Sequence, residues 1–118
     1  MQTLGSGIER ITDVTRDQPK SQLIHTFPEN WCGVPTIVGH YRIQSVPVIH
    51  SLIVLDIADR TKPVEKSRLA LNDSQRPHWT GWNIRTQRLV VTGSESRLYL
   101  LKLDETASTL GKIGRAHV

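Results

Sequence analysis

The chain has 118 residues, 37% of them hydrophobic and 22% charged, which is the composition of one small globular domain. Its longest apolar run, residues 51–58, is interrupted by Asp56 and is much shorter than the roughly 20 residues that cross a bilayer, so we expect no membrane insertion. The net charge of +4 is scattered rather than gathered in a basic stripe, and the single cysteine excludes an internal disulfide framework. We therefore expect no nucleic-acid partner.

Short β-strands punctuated by Gly, Pro, Asn and Asp are predicted along most of the chain. No window places apolar residues at helical spacing over three turns, so no helix longer than about two turns is expected. In chain order the predicted strands cover residues 8–14, 21–27, 33–38, 41–46, 51–57, 65–71, 77–83, 88–93 and 98–104.

An internal repeat groups these strands. LIVLDIADRTKPVE begins at Leu52, and LYLLKLDETASTLG begins 46 residues later at Leu98, while a weaker copy begins at Ile8, 44 residues before Leu52. A period of roughly 40 to 50 residues is typical of β-propeller blades. We predict an all-β fold, a fragment of a β-propeller with about two four-stranded antiparallel blades plus part of a third. The partial propeller covers residues 1–111, with blades near 8–30, 31–71 and 72–111.

The strands IVLDI and RLVVTG carry apolar residues on both faces. An antiparallel sheet that is exposed on one side alternates instead, so both faces of these sheets are expected to be covered by neighbouring blades. The missing blades of a parent chain are therefore expected partners. Without them, we expect the chain to expose apolar patches and to self-associate or fold loosely.

The last six residues, IGRAHV at 113–118, resemble the translation of a common short-read sequencing adapter. We therefore expect residues 112–118 to be a non-native tail, and the natural protein to continue beyond Gly111. On this interpretation the last blade lacks its outer strand.

The segment LIVLDIADRTKPVE resembles the LVIVD-type propeller repeat. PHWTGWNIRTQRLVVTGSESRLYLLKLD is similar to blades of the selenium-binding protein and methanethiol oxidase family, and the resemblance covers residues 8–111. The family implies a seven-bladed propeller with a histidine-lined metal site and, in some members, thiol oxidation. No paired-histidine segment carries that site over to this chain, so no cofactor is assigned and enzymatic activity is left open.

Superposing the repeats aligns the loop PENWCGVP with SQRPHWTGW, which brings Cys32 and His78 to corresponding places. Innermost strands line the channel of a propeller, so this thiol and imidazole are expected to lie close together and could share copper or zinc. The alternative is structural: a lone cysteine is often a small buried hydrophobe, and a lone histidine a hydrogen-bonded donor.

Neighbouring residues of these loops are candidate ligand contacts. Trp31 and Trp79, with Trp82 close by, could stack on a ligand or fill the packing between blades. Arg76 could bind an anionic group or remain a solvated loop charge. No catalytic residue is predicted, because GxSxG, P-loop and HExxH motifs are all absent.

Two hypotheses of function follow. The first is a binding or interaction scaffold that recognises a small molecule or a protein partner. The second is a metal-dependent oxidoreductase resembling the selenium-binding family, in which several blades would hold the metal.

Overall fold

The computed structural model describes residues 7–28, 32–95, 97–104 and 108–117, with residues 113–117 described by their backbone alone. The strands are β1 (Gly7–Thr12), β2 (Lys20–Thr26), β3 (Thr36–Val38), β4 (Tyr41–Val46), β5 (Ser51–Asp56), β6 (Val64–Ala70), β7 (Pro77–Asn83), β8 (Arg88–Gly93), β9 (Arg97–Asp104) and β10 (Thr109–His117). Over these residues the only helix is the 3₁₀ turn Pro47–Ile49. No helix in the described ranges is long and apolar enough to span a membrane.

The strands form three antiparallel sheets, which we call the first, second and third blade. The first blade is the pair β1–β2, the second is β3-β4-β5-β6 and the third is β7-β8-β9-β10. Consecutive strands are neighbours throughout, so each sheet is a meander. The prediction of an all-β fold with two four-stranded blades and part of a third is confirmed.

The core lies between the sheets because β5 is apolar on both faces. Leu52 and Val54 pack towards the third blade, and Ile53 and Leu55 pack towards the first. Successive side chains of a strand point to opposite faces, so one strand supplies both interfaces. All four side chains are buried.

The second and third blades stack in matching orientation. The innermost strand β3 contacts β7, and the outermost strand β6 contacts β10. Hydroxyl groups join the sheets at both ends: Thr36 Oγ1 lies 2.6 Å from Thr80 Oγ1, and Tyr41 Oη lies 2.7 Å from Ser108 Oγ. Inner strand against inner strand is the packing of adjacent propeller blades.

Two strand predictions need correction. β3 begins at Thr36 rather than residue 33, because the N–H groups of Gly33 and Val34 donate to carbonyls of β4 and β7, and Pro35 has no N–H. The third blade also has an outer strand, β10, which pairs with β9 from Thr109 to His117. The expectation that this strand is missing was wrong, because ladder pairing uses backbone groups that any sequence without proline offers. That residues 112–118 are non-native stays a prediction.

The outer face of the third blade is less covered than the equivalent face of the second. Leu98 and Leu100 stand one repeat after Leu52 and Val54. Tyr99 and Leu101 belong to the core between the blades, so Leu98 and Leu100 face the opposite way. They are half-buried, whereas Leu52 and Val54 are 0% exposed.

Replacing Leu52 with Ala is therefore expected to destabilise the chain by about 3 kcal/mol, because a fully buried leucine leaves a cavity. The matched substitution Leu98→Ala should cost about 1 kcal/mol. Urea unfolding followed by circular dichroism measures both. Equal losses would contradict the assignment of Leu98 to an open face.

Candidate functional site

The two loops that correspond in the repeat, those around Cys32 and His78, contact each other through their backbones. Val34 N–H donates to His78 O at 2.7 Å, and Ser45 Oγ donates to the same carbonyl at 3.1 Å. A Cβ on the buried Gly33 would lie 2.5 Å from His78 O and 2.8 Å from His78 Cα. Only glycine permits this approach of the loop to β7, which places the backbone beside Cys32 against that of His78.

The described neighbours of the Cys32 and His78 side chains differ. Cys32 packs against the apolar cluster between the first and second blades. His78 lies on β7, on the other side of the second blade, with its ring 4.9 Å from that of Trp79 in an edge-on arrangement. The described residues contain no group of three or more His, Cys, Asp and Glu side chains that could hold a metal ion. A shared metal site therefore remains a proposal.

The other predicted contacts are spread out. Arg76 is exposed, and its backbone is fixed to the β8–β9 turn because its N–H donates to Ser94 Oγ at 2.9 Å and its carbonyl accepts from Ser94 N–H at 3.2 Å. The Trp79 side chain is 60% exposed, whereas Trp82 packs against the core. Trp31 lies outside the described residues.

A cleft of about 490 Å³ opens between the first and second blades, away from the predicted loops. Its walls are mainly apolar, and a histidine and two arginines supply the polar groups. The lining side chains include Ile8, Ile24, Ile37, Ile57, His40, Arg42 and Arg60. The volume lies within the roughly 300–1,000 Å³ of small-molecule sites.

Arg42 is the polar centre of this cleft. Its Nε and Nη2 donate to Gln44 Oε1 at 3.2 and 3.0 Å, and Gln44 Nε2 donates to Gly33 O at 2.6 Å. Gln44 is 0% exposed, so packing fixes the orientation of its side-chain amide. The amide oxygen in turn orients the guanidinium of Arg42. No carboxylate among the described residues lies within ion-pair distance of Arg42.

Arg42 and Gln44 occupy positions that are apolar in the equivalent strand of the third blade. Ile43 pairs with Val54 in the second blade, as Val90 pairs with Leu100 in the third, so the strand positions correspond. On that register, Arg42 and Gln44 stand where the third blade has Leu89 and Val91, both fully buried. The loop comparison missed these residues, but aligning β4 with β8 reveals them.

Electrostatics around the cleft are dominated by desolvation. Burial lowers the pKa of Arg42, and the neighbouring Cys32 opposes this shift. The pKa of His25 is also lowered, mainly by burial. The charge of Glu65 opposes this shift and the charge of Arg42 adds to it. At the rim, the N–H of Ala58 and the His40 ring hold the pKa of Asp56 below its usual range. Arg42 thus places a partly desolvated positive charge in the cleft.

A second cleft, of about 530 Å³, lies beside the third blade between Trp82, Arg88, Lys102 and the start of β10. Its polar rim includes Lys112, which belongs to the predicted non-native tail. We therefore take the cleft at Arg42 as the candidate site.

Comparison with known proteins supports the architecture alone. No protein-family model and no curated protein matches the sequence. The fold is similar to the crystal structure of a protein from Lactobacillus plantarum, with a TM-score of 0.74 and 14% identity over 92% of this chain. The chain has the stacked antiparallel sheets of part of a β-propeller. It covers 35% of that protein's length, and at this identity the likeness carries no activity or ligand.

Replacing Gly33 with Ala is expected to destabilise the chain by about 2 kcal/mol, because the added methyl group meets the backbone of His78. Gly81→Ala is the matched control, since a Cβ there has nothing within 4 Å. That control should change stability by less than about 1 kcal/mol. Thermal unfolding of both variants measures the difference, and an unperturbed Gly33→Ala variant would show that the loops do not meet as described.

Proposed function

We propose that this chain contributes consecutive blades to a larger β-propeller that acts as a binding or interaction scaffold. The observation that supports it is the open face of the third blade, where Leu98 and Leu100 are half-buried at positions equivalent to the fully buried Leu52 and Val54. The exposed ring of Trp79 lies on the inner strand of the same blade. An apolar sheet face of this kind is stabilised by a further blade.

The first blade offers a second open surface. Ile11 and Leu23 are 42% and 54% exposed, and β1 has no strand on its other side within the described ranges. β1 and β2 correspond to the third and outer strands of a blade, because Ile8 begins the repeat that also begins at Leu52. A scaffold of more blades would cover both ends of the stack.

The scaffold proposal predicts that the isolated chain self-associates through its open apolar face. Leu100→Glu should shift the chain towards monomer, because a charge on that face opposes apolar contact. Ile84→Glu is the matched control, as this side chain is 81% exposed in the β7–β8 turn. Sedimentation velocity over a range of concentrations measures the shift. A wild-type chain that is monomeric throughout and unfolds in one sharp transition would instead indicate a complete small domain.

The alternative function, a metal-dependent oxidoreductase resembling the selenium-binding family, assigns metal ligation to Cys32 and His78. It requires further ligands from other blades, because two side chains leave a copper or zinc site incomplete. The placement of Cys32 in the apolar cluster between blades favours the scaffold.

Metal titration separates the two functions. Under reducing conditions we expect the chain to take up zinc or copper(I) no more tightly than its Cys32→Ser/His78→Ala variant, as measured by isothermal titration calorimetry. One equivalent of metal whose binding is lost in the double variant would favour the oxidoreductase.

A further inference from the structure

The second and third blades differ at one pair of equivalent positions in β4 and β8, and in the second blade one of these residues lines a cleft. Leu89 and Val91 of the third blade pack into the core, whereas the equivalent Arg42 lines the cleft and Gln44 pairs with Ile53 on the face towards the first blade. A leucine here would bury apolar surface at no electrostatic cost, while a guanidinium loses hydration. Departures from local packing rules of this kind concentrate at functional sites.

The guanidinium is fixed in position. Nε and Nη2 of Arg42 share one acceptor, Gln44 Oε1, and Gln44 is tied to Gly33 O, which belongs to the tightly packed loop at β7. Gln44 is neutral, and no carboxylate among the described residues pairs with Arg42, so within that part of the chain the charge is hydrogen-bonded without being neutralised. A planar guanidinium with an uncommitted edge matches the two oxygens of a carboxylate.

The surroundings select the rest of the ligand. Isoleucines at positions 8, 24, 37 and 57 form the walls, and Ile37 is 53% exposed. Arg60 and His40 also line the cleft, and the two arginines give its lining a positive charge. Of the neighbouring carboxylates, Asp56 is bonded to His40 and Ala58, and Glu65 is bonded to Arg68. Both therefore already have partners.

We propose that the cleft between the first and second blades binds a small amphipathic carboxylate, with its head group on Arg42 and its apolar body against the isoleucines. The proposal builds on the scaffold function and names the ligand class for one of its sites. The competing occupant is a further strand that pairs with the edge of β1 and places an acidic side chain on Arg42.

Saturation-transfer NMR on the full chain with octanoate tests the proposal, with octan-1-ol as the neutral probe. Self-association of the chain does not prevent the measurement, because saturation spreads efficiently through large assemblies. The wild-type chain should bind octanoate more tightly than octan-1-ol. Arg42→Leu restores the residue of the third blade, so it should remain folded by circular dichroism, weaken octanoate binding by about tenfold or more and leave octan-1-ol binding unchanged or stronger.

Arg85→Leu is the matched control, since it removes one positive charge from the exposed β7–β8 turn. It should leave octanoate binding as in the wild type. Equal octanoate binding by wild type and Arg42→Leu, or equal weakening by Arg85→Leu, would overturn the site. A wild-type chain that binds neither probe would also overturn it and favour the strand as occupant. That result would not change the effect of Leu100→Glu on self-association. The carboxylate-site proposal can therefore be overturned while the scaffold proposal stands.

Discussion

The structure depends on one constraint, that a sheet with two apolar faces has to be covered twice. β5 imposes it, because Leu52 and Val54 on one face and Ile53 and Leu55 on the other are all buried. A two-layer sandwich covers only one face of each sheet, so the chain stacks three sheets in series. Serial stacking leaves an open face at each end, whatever the sequences of the terminal sheets. Leu98 and Leu100 of the third blade are half-buried because their sheet is the last in the stack.

Within the stack, the two interfaces are built differently. The one between the second and third blades is apolar across its centre and closed by hydroxyl pairs at its inner and outer ends. The one between the first and second blades has two strands on one side within the described residues. The second blade presents Arg42 and Gln44 to it, because they pair with Leu55 and Ile53 on that face. Apolar packing gives stability to the first interface. The interface between the first and second blades buries less apolar surface at these positions and contains the charged Arg42 beside an apolar cleft.

Strand positions and their grouping could be predicted from the sequence because a meander is local: each strand pairs with the next, and a repeat near 46 residues counts the blades. Side-chain directions could not. A register shift between Pro77 and Trp79 in β7 changes which residues face the second blade, and bulges leave little mark in composition. The backbone of Gly33 and Val34 lies against His78, while the Cys32 side chain packs in the cluster between the first and second blades, and a site shared by Cys32 and His78 stays a prediction. The origin of a segment does not predict strand pairing, because β10 pairs with β9 through backbone groups that any sequence without proline offers.

One loop makes contacts that bear on both interfaces. Val34 and Gly33 are held against the carbonyl of His78 in the third blade, and the carbonyl of Gly33 in turn accepts from Gln44. Gln44 orients the guanidinium that faces the opposite interface. A Cβ at position 33 would meet Ser45 and His78, so this close contact of the loop requires glycine. Residues 33 and 34 therefore take part both in the contact with the third blade and in the hydrogen bonds that orient Arg42.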